Sequence, residues 1–363
     1  MADLPRFKPE RLRRLIAAFS KPRILVVGDC MLDEFIWGQV NRISPEAPVP
    51  VVWVQSESVM PGGAANVANN IRSLGGRVQM AGVIGTDPWG DTLMETLTTR
   101  GIGTEALLRE PSRATTVKTR VIAHHQQVVR VDRESRPALE PQMVKRVVGA
   151  VRKQLETVDA VILEDYGKGV VTRELLQQVV PLIRSRRKLI TVDPKEEHFD
   201  LYQEVTAITP NRAEASAMVG RRLETEQDVR KAGGELVRRL RCEAVVITLG
   251  EDGMCVMEQH GRCTRIPTVA QEVFDVAGAG DTVIATLTLA LASGASMPEA
   301  AVLANYAAGI VVGKLGVATA APAELLAKLD GTRSIRNAEF GMRNSKRLLR
   351  TPHSALRTPQ RRR

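Results

Sequence analysis

The chain has 363 residues, of which 44% are apolar and 25% charged, and its formal net charge at pH 7 is +10. This composition supports a sizeable core and excludes wholesale disorder. The four cysteines show neither a C-x-x-C spacing nor a nearby His pair, so we expect free thiols in a reducing cytoplasm rather than disulfides or structural zinc.

The positive charge is concentrated at the C-terminal end. Residues 331–363 contain ten Lys or Arg and one acid, Glu339, which leaves the first 330 residues nearly neutral. We predict one folded domain over residues 1–330 and a basic, mostly disordered tail over residues 331–363. A neutral body predicts no nucleic-acid partner. The most apolar stretch, Val283–Leu291, is too short to span a bilayer, which predicts no membrane association.

Short β-branched runs alternate with helical stretches along most of the chain, which predicts an α/β fold with parallel strands and helices on both faces. The predicted strands are Ile24–Gly28, Asp159–Leu163, Leu189–Val192, Ala207–Thr209 and Ala244–Leu249, the last forming a hairpin with Met254–Glu258. The predicted helices are Pro141–Leu155, Arg173–Arg186 and Glu224–Arg239.

Two segments, at about residues 33–55 and 115–133, break this alternation. The first holds two predicted strands, Phe35–Val40 and Val49–Val54, around a Pro-containing loop. The second, Thr115–Val131, alternates around a polar centre and predicts a hairpin that turns near His125. Together they predict a small sheet that covers the mouth of the main domain as a lid.

Carboxylates follow the first predicted strand. Asp29 comes directly after that strand, and Asp33 follows it into the predicted lid. In open parallel sheets, ligands bind outside the carboxyl ends of the strands, and carboxylates there suit a polyhydroxy substrate. A turn-forming role is the alternative, and it fits Asp29 better than Asp33.

A glycine pair begins the next motif, which runs from Pro61 to Asn70. The pattern predicts a turn at Gly62 and Gly63, then a helix with a glycine C-cap. Asn66 then lies in the first helical turn, where its amide suits sugar hydroxyls. A helix with glycine ends and no further role is the alternative.

Polar residues also follow later strands. Asn211 and Glu214 stand three apart at a predicted helix start, which suits either hydrated Mg²⁺ or a helix cap. Lys168 and Lys195 place cations at two strand ends. Four further residues are assigned to a nucleotide site: Thr248, Gly250, Gly253 and Asn305. For the first three, a simple hairpin turn is the alternative.

The sharpest motif, DVAGAGDT at residues 275–282, precedes the apolar helical stretch Val283–Ala292. Its glycines let backbone N–H groups approach a ligand, and the N–H groups at a helix start favour negative charge. These amides, which suit a transferring phosphoryl group, are those of Ala277, Gly278, Ala279 and Gly280. An ionised Asp281 beside them indicates a base for a substrate hydroxyl. A helix start with a favourably placed Asp is the alternative.

Other enzyme classes lack their signatures. The sequence has no G-x-x-x-x-G-K-[ST], no G-x-G-x-x-G after the first strand and no G-x-S-x-G, which argues against P-loop, Rossmann dehydrogenase and α/β-hydrolase functions. The five histidines form no metal-type cluster, and we assign none of them a catalytic role.

Taken in order, the Gly62–Asn66, Asn211–Glu214 and Ala277–Asp281 motifs resemble the ribokinase/PfkB family of carbohydrate kinases over residues 20–325. The resemblance implies a three-layer α/β/α domain with a mostly parallel central sheet and a β-sheet lid. It also implies phosphorylation of a sugar hydroxyl by MgATP, often with K⁺ activation, and a homodimer built through the lid.

The same resemblance implies roles for individual residues. Asp281 would be the base, and the amides of residues 277–280 would form the anion hole. Asn211 and Glu214 would organise Mg²⁺ and phosphate, with Glu214 acting on the metal through water. The sugar would be held by Asp33, Gly63 and Asn66.

The segment Gly28–Val51, with its RISPEAP run at residues 42–48, resembles the heptose 7-phosphate kinases within that family. This implies phosphorylation of the C1 hydroxyl of D-glycero-β-D-manno-heptose 7-phosphate, for the lipopolysaccharide core. Many such relatives carry a nucleotidyltransferase domain with an H-x-G-H motif. The present sequence has no such motif, as expected of the stand-alone kinase form.

A 7-phosphate needs cations at some distance from Asp281. If the lid hairpin turns at His125, Arg120 and Arg130 lie opposite each other, and we predict that they clamp the phosphate. Lys168 and Lys195 are competing candidates, and solvated lid arginines are the alternative.

Two other functions stay open from the sequence. One is a kinase of the same family that acts on another sugar, sugar phosphate or nucleoside. The other is a non-catalytic regulator that binds a sugar or nucleotide and contacts nucleic acid through its basic tail.

Overall fold

The computed structural model describes residues 7–124, 126–135, 137–270 and 273–330. The described residues fall into two units, which divide between residues 325 and 326. In the second unit, residues 326–330 are helical. The predicted tail and the predicted hairpin tip at His125 lie outside the described residues.

A nine-stranded sheet forms the centre of the first unit, in the order β13-β12-β11-β10-β9-β8-β1-β4-β5. The strands from β10 to β5 in this order run parallel, as does β11, whereas β12 and β13 pair antiparallel. The strands are β1 (Arg23–Gly28), β4 (Arg77–Ile84), β5 (Gly103–Arg109), β8 (Ala160–Glu164), β9 (Leu189–Asp193), β10 (Ala207–Ile208), β11 (Ala244–Thr248), β12 (Met254–Glu258) and β13 (Cys263–Ile266).

Helices cover both faces of this sheet. α2, α8 and α9 pack together on one face, and α4 to α7 pack on the other over a large buried aliphatic cluster. The helices are α1 (Pro9–Ala17), α2 (Ala64–Ser73), α3 (Pro88–Thr99), α4 (Pro141–Gln154), α5 (Arg173–Ser185), α6 (Arg212–Val219), α7 (Glu226–Leu240), α8 (Ala279–Ala292) and α9 (Met297–Val311), with 3₁₀ turns at Glu196–Leu201 and Gly250–Asp252. None of the described helices is long and apolar enough to cross a membrane.

A second sheet of four strands has the order β3-β2-β6-β7. Its strands are β2 (Cys30–Ile43), β3 (Pro50–Gly63), β6 (Thr116–Ala123) and β7 (Gln126–Arg133). This is the predicted lid sheet, with strands longer than the sequence pattern indicated. β2 begins two residues after β1 ends, so the lid grows directly from the carboxyl edge of the central sheet.

The predicted fold is confirmed. The six strands predicted for the central sheet, and the three helices predicted with them, appear with ends shifted by no more than two residues. The predicted glycine turn is correct at Gly63 and wrong at Gly62. Both residues end β3, and Gly63 makes the change into α2 with a φ of 54°. The error arose because a strand that ends in glycines and a turn look the same in sequence.

Candidate active site

The strand order places a topological switch point between β1 and β8. From β1 the chain proceeds outward to β4 and β5, and after α4 it returns to β8 and proceeds in the opposite direction. In register, Gly28 pairs with Glu164 and Glu164 with Asp193. Polar side chains that follow these strands therefore converge at one edge, where open α/β sheets bind ligands.

Asp281 lies at this edge, in the first turn of α8. The N-cap Gly278 has a φ of 74°, a conformation that glycine adopts without a steric penalty. The Asp281 carboxylate is buried and accepts two hydrogen bonds, from the Tyr166 hydroxyl (2.7 Å) and from Asn66 Nδ2 (2.6 Å). Burial raises its pKa, and these two hydrogen bonds oppose that rise. A buried carboxylate with a raised pKa is suited to general-base catalysis.

The predicted anion hole has fewer available amides than the sequence indicated. The Ala277 amide donates to Asp275 Oδ1 (2.9 Å), and the Ala279 amide donates to the Val276 carbonyl (3.2 Å). Within the described residues, the amides of Gly278 and Gly280 have no acceptor. Of the four predicted amides, the structure therefore leaves those of Gly278 and Gly280 for an anion.

Asn66 is fixed in the first turn of α2 beside the base. Its Nδ2 donates to Asp281, and Asn70 Nδ2 donates to its backbone carbonyl (3.0 Å). Asn70 Oδ1 accepts from the Thr282 hydroxyl (2.8 Å), so α2 and α8 are joined by a buried polar network. The structure thus brings Asn66 to the predicted site, in direct contact with the carboxylate.

Two more carboxyl groups lie beside Asp281. Glu164, Asp193 and Asp281 each place a carboxylate oxygen within 4.8 Å of the others. Burial and the neighbouring carboxylates raise the pKa of both Glu164 and Asp193. Among the described residues, neither Glu164 oxygen has a hydrogen-bond partner, so no contact offsets the cost of burying a charge there.

Two adjoining cavities meet at Gly280. The smaller, of about 240 Å³, is polar and is lined by Asp165, Tyr166, Asp193, Lys195, Glu214 and Asp281, among others. The larger, of about 470 Å³, has mostly apolar walls and contains four of the residues assigned to a nucleotide site, namely Thr248, Gly250, Gly253 and Asn305. An apolar cavity that opens onto a polar one suits a ligand with a flat base and a charged tail.

Asn211 and Glu214 form the predicted pair at the start of α6. Asn211 Oδ1 accepts from the Glu214 amide (3.0 Å), and Glu214 Oε2 accepts from the Asn211 amide (2.8 Å), which is a complete capping box. Glu214 also lines the smaller cavity, and burial raises its pKa. The pair therefore caps α6 and also places Glu214 at the site.

The two carboxylates after β1 differ. Asp29 accepts from the backbone amides of Tyr166 (3.0 Å), Lys168 (3.1 Å) and Val170 (2.9 Å), so it organises the loop after β8. These contacts favour the turn-organising alternative for Asp29. Asp33 instead pairs with Arg120 at 2.5 Å on the lid, and Gly62 lets it lie close, since a Cβ at Gly62 would stand 2.6 Å from its Oδ2.

One face of the lid lies near Asp281, because it carries Lys118, whose ammonium lies over the ring of Tyr166, a donor to Asp281. We call it the inner lid face and define it by residues that neighbouring strands hold side by side: Asp33, Lys118, Arg120, Arg130 and Asp132. The predicted pairing of Arg120 with Arg130 across β6 and β7 is confirmed. Arg130 is more exposed than Arg120 and binds Asp132 through two nitrogens (2.8 and 3.0 Å). Lys168 pairs with Glu134 at 2.6 Å.

Sequence reasoning gave no role to four residues of this site. They are Glu164, Tyr166, Asp193 and Lys118. Tyr166 stands two residues after β8, and Asp193 is the last residue of β9. A correct strand order would therefore have placed both beside Asp281. Lys118 would have been found from the alternation in β6, because it is two residues from Arg120 and shares its face.

Comparison with known proteins gives matches over most of the chain. The model of the pfkB family of carbohydrate kinases matches residues 21–324. The bifunctional protein HldE of Desulfatibacillum aliphaticivorans is 46% identical over 314 residues, covering 86% of this chain and 64% of that protein. The corresponding protein of Geobacter sulfurreducens is 43% identical over 335 residues, covering 91% of this chain and 68% of its own length. The chain thus matches about two thirds of these relatives.

A solved structure shows the same fold. The phosphofructokinase-2 of Escherichia coli, in complex with potassium, aligns with a TM-score of 0.72 at 24% identity and covers 85% of this chain and 99% of its own. At that level of identity the likeness concerns the arrangement of sheets and helices. This shared arrangement is the predicted ribokinase-like architecture.

Proposed function

The chain belongs to the pfkB family of carbohydrate kinases, and from that premise we propose that it transfers the γ-phosphoryl group of ATP to the C1 hydroxyl of D-glycero-β-D-manno-heptose 7-phosphate. Membership makes the protein a sugar kinase, which removes the non-catalytic regulator as an alternative. The proposal concerns the kinase reaction, and it names the acceptor sugar and the residues that act on it.

The observation that carries the proposal is the position of Asp281. Its buried carboxylate lies in the first turn of α8, one residue from the Gly280 amide, which has no acceptor within the described part of the chain. A base and an anion-binding amide side by side are what transfer of a phosphoryl group to a hydroxyl requires. A carboxylate there without a proton to accept would repel the incoming phosphate.

In the proposed reaction, Asp281 takes the proton from the sugar C1 hydroxyl. The hydroxyl oxygen bonds to the γ-phosphorus, and the bond from that phosphorus to the bridging oxygen breaks, so ADP leaves. The Gly278 and Gly280 amides donate to the transferring group as its charge is redistributed. Tyr166 and Asn66 each hold one oxygen of Asp281, so the carboxylate is oriented before the sugar binds.

ATP and Mg²⁺ fit the two cavities. The larger cavity suits the adenosine, and the smaller one has oxygen donors of the kind that Mg²⁺ prefers, Asp193 and Glu214, together with the cation Lys195. Mg²⁺ bound there would neutralise charge on the phosphate oxygens. We propose that Glu214 acts on the metal through water, since one of its oxygens caps α6. A K⁺ requirement stays a prediction.

The heptose assignment rests on two supports. The segment from Gly28 to Val51 resembles heptose 7-phosphate kinases, and the relatives named HldE are more than 40% identical over this domain. The inner lid face adds a physical reason, because its three cations outnumber its two carboxylates. Such a face suits an acceptor that carries a negative charge better than a neutral sugar.

A coupled ADP-release assay tests this function. The panel contains heptose 7-phosphate, hexose 6-phosphates, the unphosphorylated sugars and a nucleoside. We expect heptose 7-phosphate to give the highest kcat/KM and a product with a second phosphate on C1, identified by ³¹P NMR. Higher kcat/KM for any other acceptor would contradict the heptose assignment and leave the sugar kinase in place.

We also propose that the lid builds a homodimer. The lid sheet exposes several large apolar side chains, which mark association surfaces when clustered; they include Trp37, Ile43, Trp53, Val129 and Val131. We expect light scattering to give a dimer mass, and Trp53→Lys to shift the mass towards the monomer. Leu315→Lys, at an exposed apolar residue outside the lid, is the control and should leave the dimer intact. A monomeric wild type would contradict the proposal.

A further inference from the structure

Two of the four cysteines lie against each other on the hairpin formed by β12 and β13. The sulfur atoms of Cys255 and Cys263 are 3.5 Å apart. In the register, Cys255 lies opposite Arg265 and Cys263 lies opposite Met257, so the two cysteines are diagonal neighbours on one face of the sheet. A disulfide needs sulfur atoms about 2 Å apart, so a movement of roughly 1.5 Å would join them.

The surroundings of the pair make one thiol reactive and leave the other beside it. Cys255 is buried in the aliphatic cluster that α7 covers, whereas Cys263 is partly exposed at its edge. A hydrogen bond from the Cys255 thiol lowers the pKa of Cys263. Burial opposes this effect, and the positive charges of Arg230 and Arg265 support it. An accessible thiolate beside a second thiol is the arrangement in which oxidation leads to a disulfide.

The other two cysteines lack these features. Cys30 and Cys242 are buried, and burial raises the pKa of both thiols. Within the described part of the chain, neither is in hydrogen-bond contact with another cysteine. Buried thiols of this kind are inert, so they provide a comparison within the same molecule.

The hairpin that carries the pair also forms part of the wall of the larger cavity. Met254, next to Cys255, and Thr268, two residues after β13, both line this cavity. Met254 pairs with Ile266 in the register. The two strands are close together there, because a Cβ at Gly253 would collide with the Ile266 carbonyl oxygen. A shift of one strand against the other therefore changes the wall of the cavity.

We propose that hydrogen peroxide converts Cys255 and Cys263 to a disulfide and that this disulfide weakens ATP binding. The Cys263 thiolate attacks one peroxide oxygen, the O–O bond breaks, and Cys263 becomes a sulfenic acid while the other oxygen leaves as hydroxide, which takes up a proton to form water. The Cys255 thiol then displaces water from the sulfenic acid. Two thiols thus lose two electrons and two protons, and peroxide is reduced to two molecules of water.

The diagonal offset of the two cysteines gives the disulfide its effect on the cavity. Because the cysteines are not directly opposite, the bond draws β13 along β12 as well as towards it. Met254 and Thr268 move with these strands. The smaller cavity, which contains Asp281, is lined by no residue of the hairpin, so phosphoryl transfer at saturating ATP is spared. This effect on ATP rests on the proposed function, whereas the formation of the disulfide does not.

Peptide mapping of the full chain after treatment with hydrogen peroxide tests the modification. We expect the intact mass to fall by about 2 Da, the loss of two hydrogens, and the map to show a Cys255–Cys263 bond that dithiothreitol removes. Cys263→Ser should form no bond, and Cys242→Ala, at a core cysteine without a sulfur neighbour, should form it as the wild type does. Free thiols at both positions after treatment, a stable sulfinic acid at Cys263, or a bond to any other cysteine would overturn the pair.

Isothermal titration calorimetry of ATP without sugar tests the effect on the nucleotide. We expect the dissociation constant of the oxidised wild type to be about tenfold higher than that of the reduced form, and dithiothreitol to restore it. Peroxide-treated Cys263→Ser should bind ATP as the reduced wild type does. Equal dissociation constants in the two wild-type forms would overturn the effect on ATP. A reduced wild type that binds no ATP would overturn that effect and the proposed function together, and the peptide map alone would then decide the thiol pair.

Discussion

The floor of the active site and the inner lid face hold their polar groups in different ways. On the floor, Asp281 is buried and is fixed by neutral donors, Tyr166 and Asn66, that belong to the core of the first unit. On the lid, Arg120 and Arg130 are held by carboxylates of the same sheet, and every residue of β7 is exposed. The floor therefore holds its carboxylate with neutral donors, whereas the lid holds its cations in ion pairs.

This difference predicts where mutations act. Changes on the floor should lower kcat, because they alter the base or its orientation in the transition state. Changes on the lid should raise KM for the sugar phosphate and leave the phosphoryl transfer itself almost intact. The largest expected effect tests the floor. Smaller effects test the lid and the hydrogen bond that lowers the pKa of Asp281.

The largest effect is expected for Asp281→Asn. The amide keeps the shape of the side chain and cannot take the proton, so kcat should fall by about 10²–10⁴, the usual contribution of a general base. Turnover by coupled ADP release measures this, with circular dichroism to show that the variant is folded. Asp200→Asn, at an exposed carboxylate paired with Arg239, should keep wild-type kcat. Near-normal turnover in Asp281→Asn would remove the base from Asp281.

A smaller effect is expected for Arg120→Ala on the lid. Arg120 is mostly buried and pairs with Asp33, so its removal should raise KM for the sugar phosphate about tenfold and spare KM for ATP. Arg130→Ala is the matched comparison, because Arg130 lies directly opposite and is half exposed. Its KM should rise less. Equal effects, or a rise in KM for ATP, would break the distinction between lid and floor.

The smallest effect is expected for Tyr166→Phe, which keeps the ring and removes one donor to Asp281. That donor lowers the pKa of Asp281, so its loss should raise the pKa further. Because the base must be ionised, the acid limb of the kcat profile should move to higher pH, while the plateau falls by less than about tenfold. Tyr202→Phe, whose hydroxyl binds Asp165 instead, should leave the limb in place. A shift to lower pH would contradict the assignment.

The sequence predicted the central sheet well for a physical reason. Strands such as Ile24–Gly28 are buried on both faces, so they appear as unbroken apolar runs. The predicted lid strands were too short, because β2 and β3 carry exposed polar residues over much of their length. Asp281 and Asn66 were found because their glycine-rich helix starts are local in sequence.

The rest of the site depends on contacts between distant segments. Tyr166 and Asn66 are a hundred residues apart, and only the order of β1, β8 and β9 shows that both reach Asp281. The satisfied amides of Ala277 and Ala279 also needed the coordinates, because a sequence motif does not show which N–H groups the loop itself uses.

A crystal structure with heptose 7-phosphate and a non-hydrolysable ATP analogue tests the central claim most directly. The distance to measure joins the C1 oxygen of the sugar to the Asp281 carboxylate. The account predicts a hydrogen-bond distance of about 2.6–3.2 Å, with the γ-phosphate at the amides of Gly278 and Gly280. A sugar bound with its C1 oxygen beyond the reach of Asp281 would contradict it.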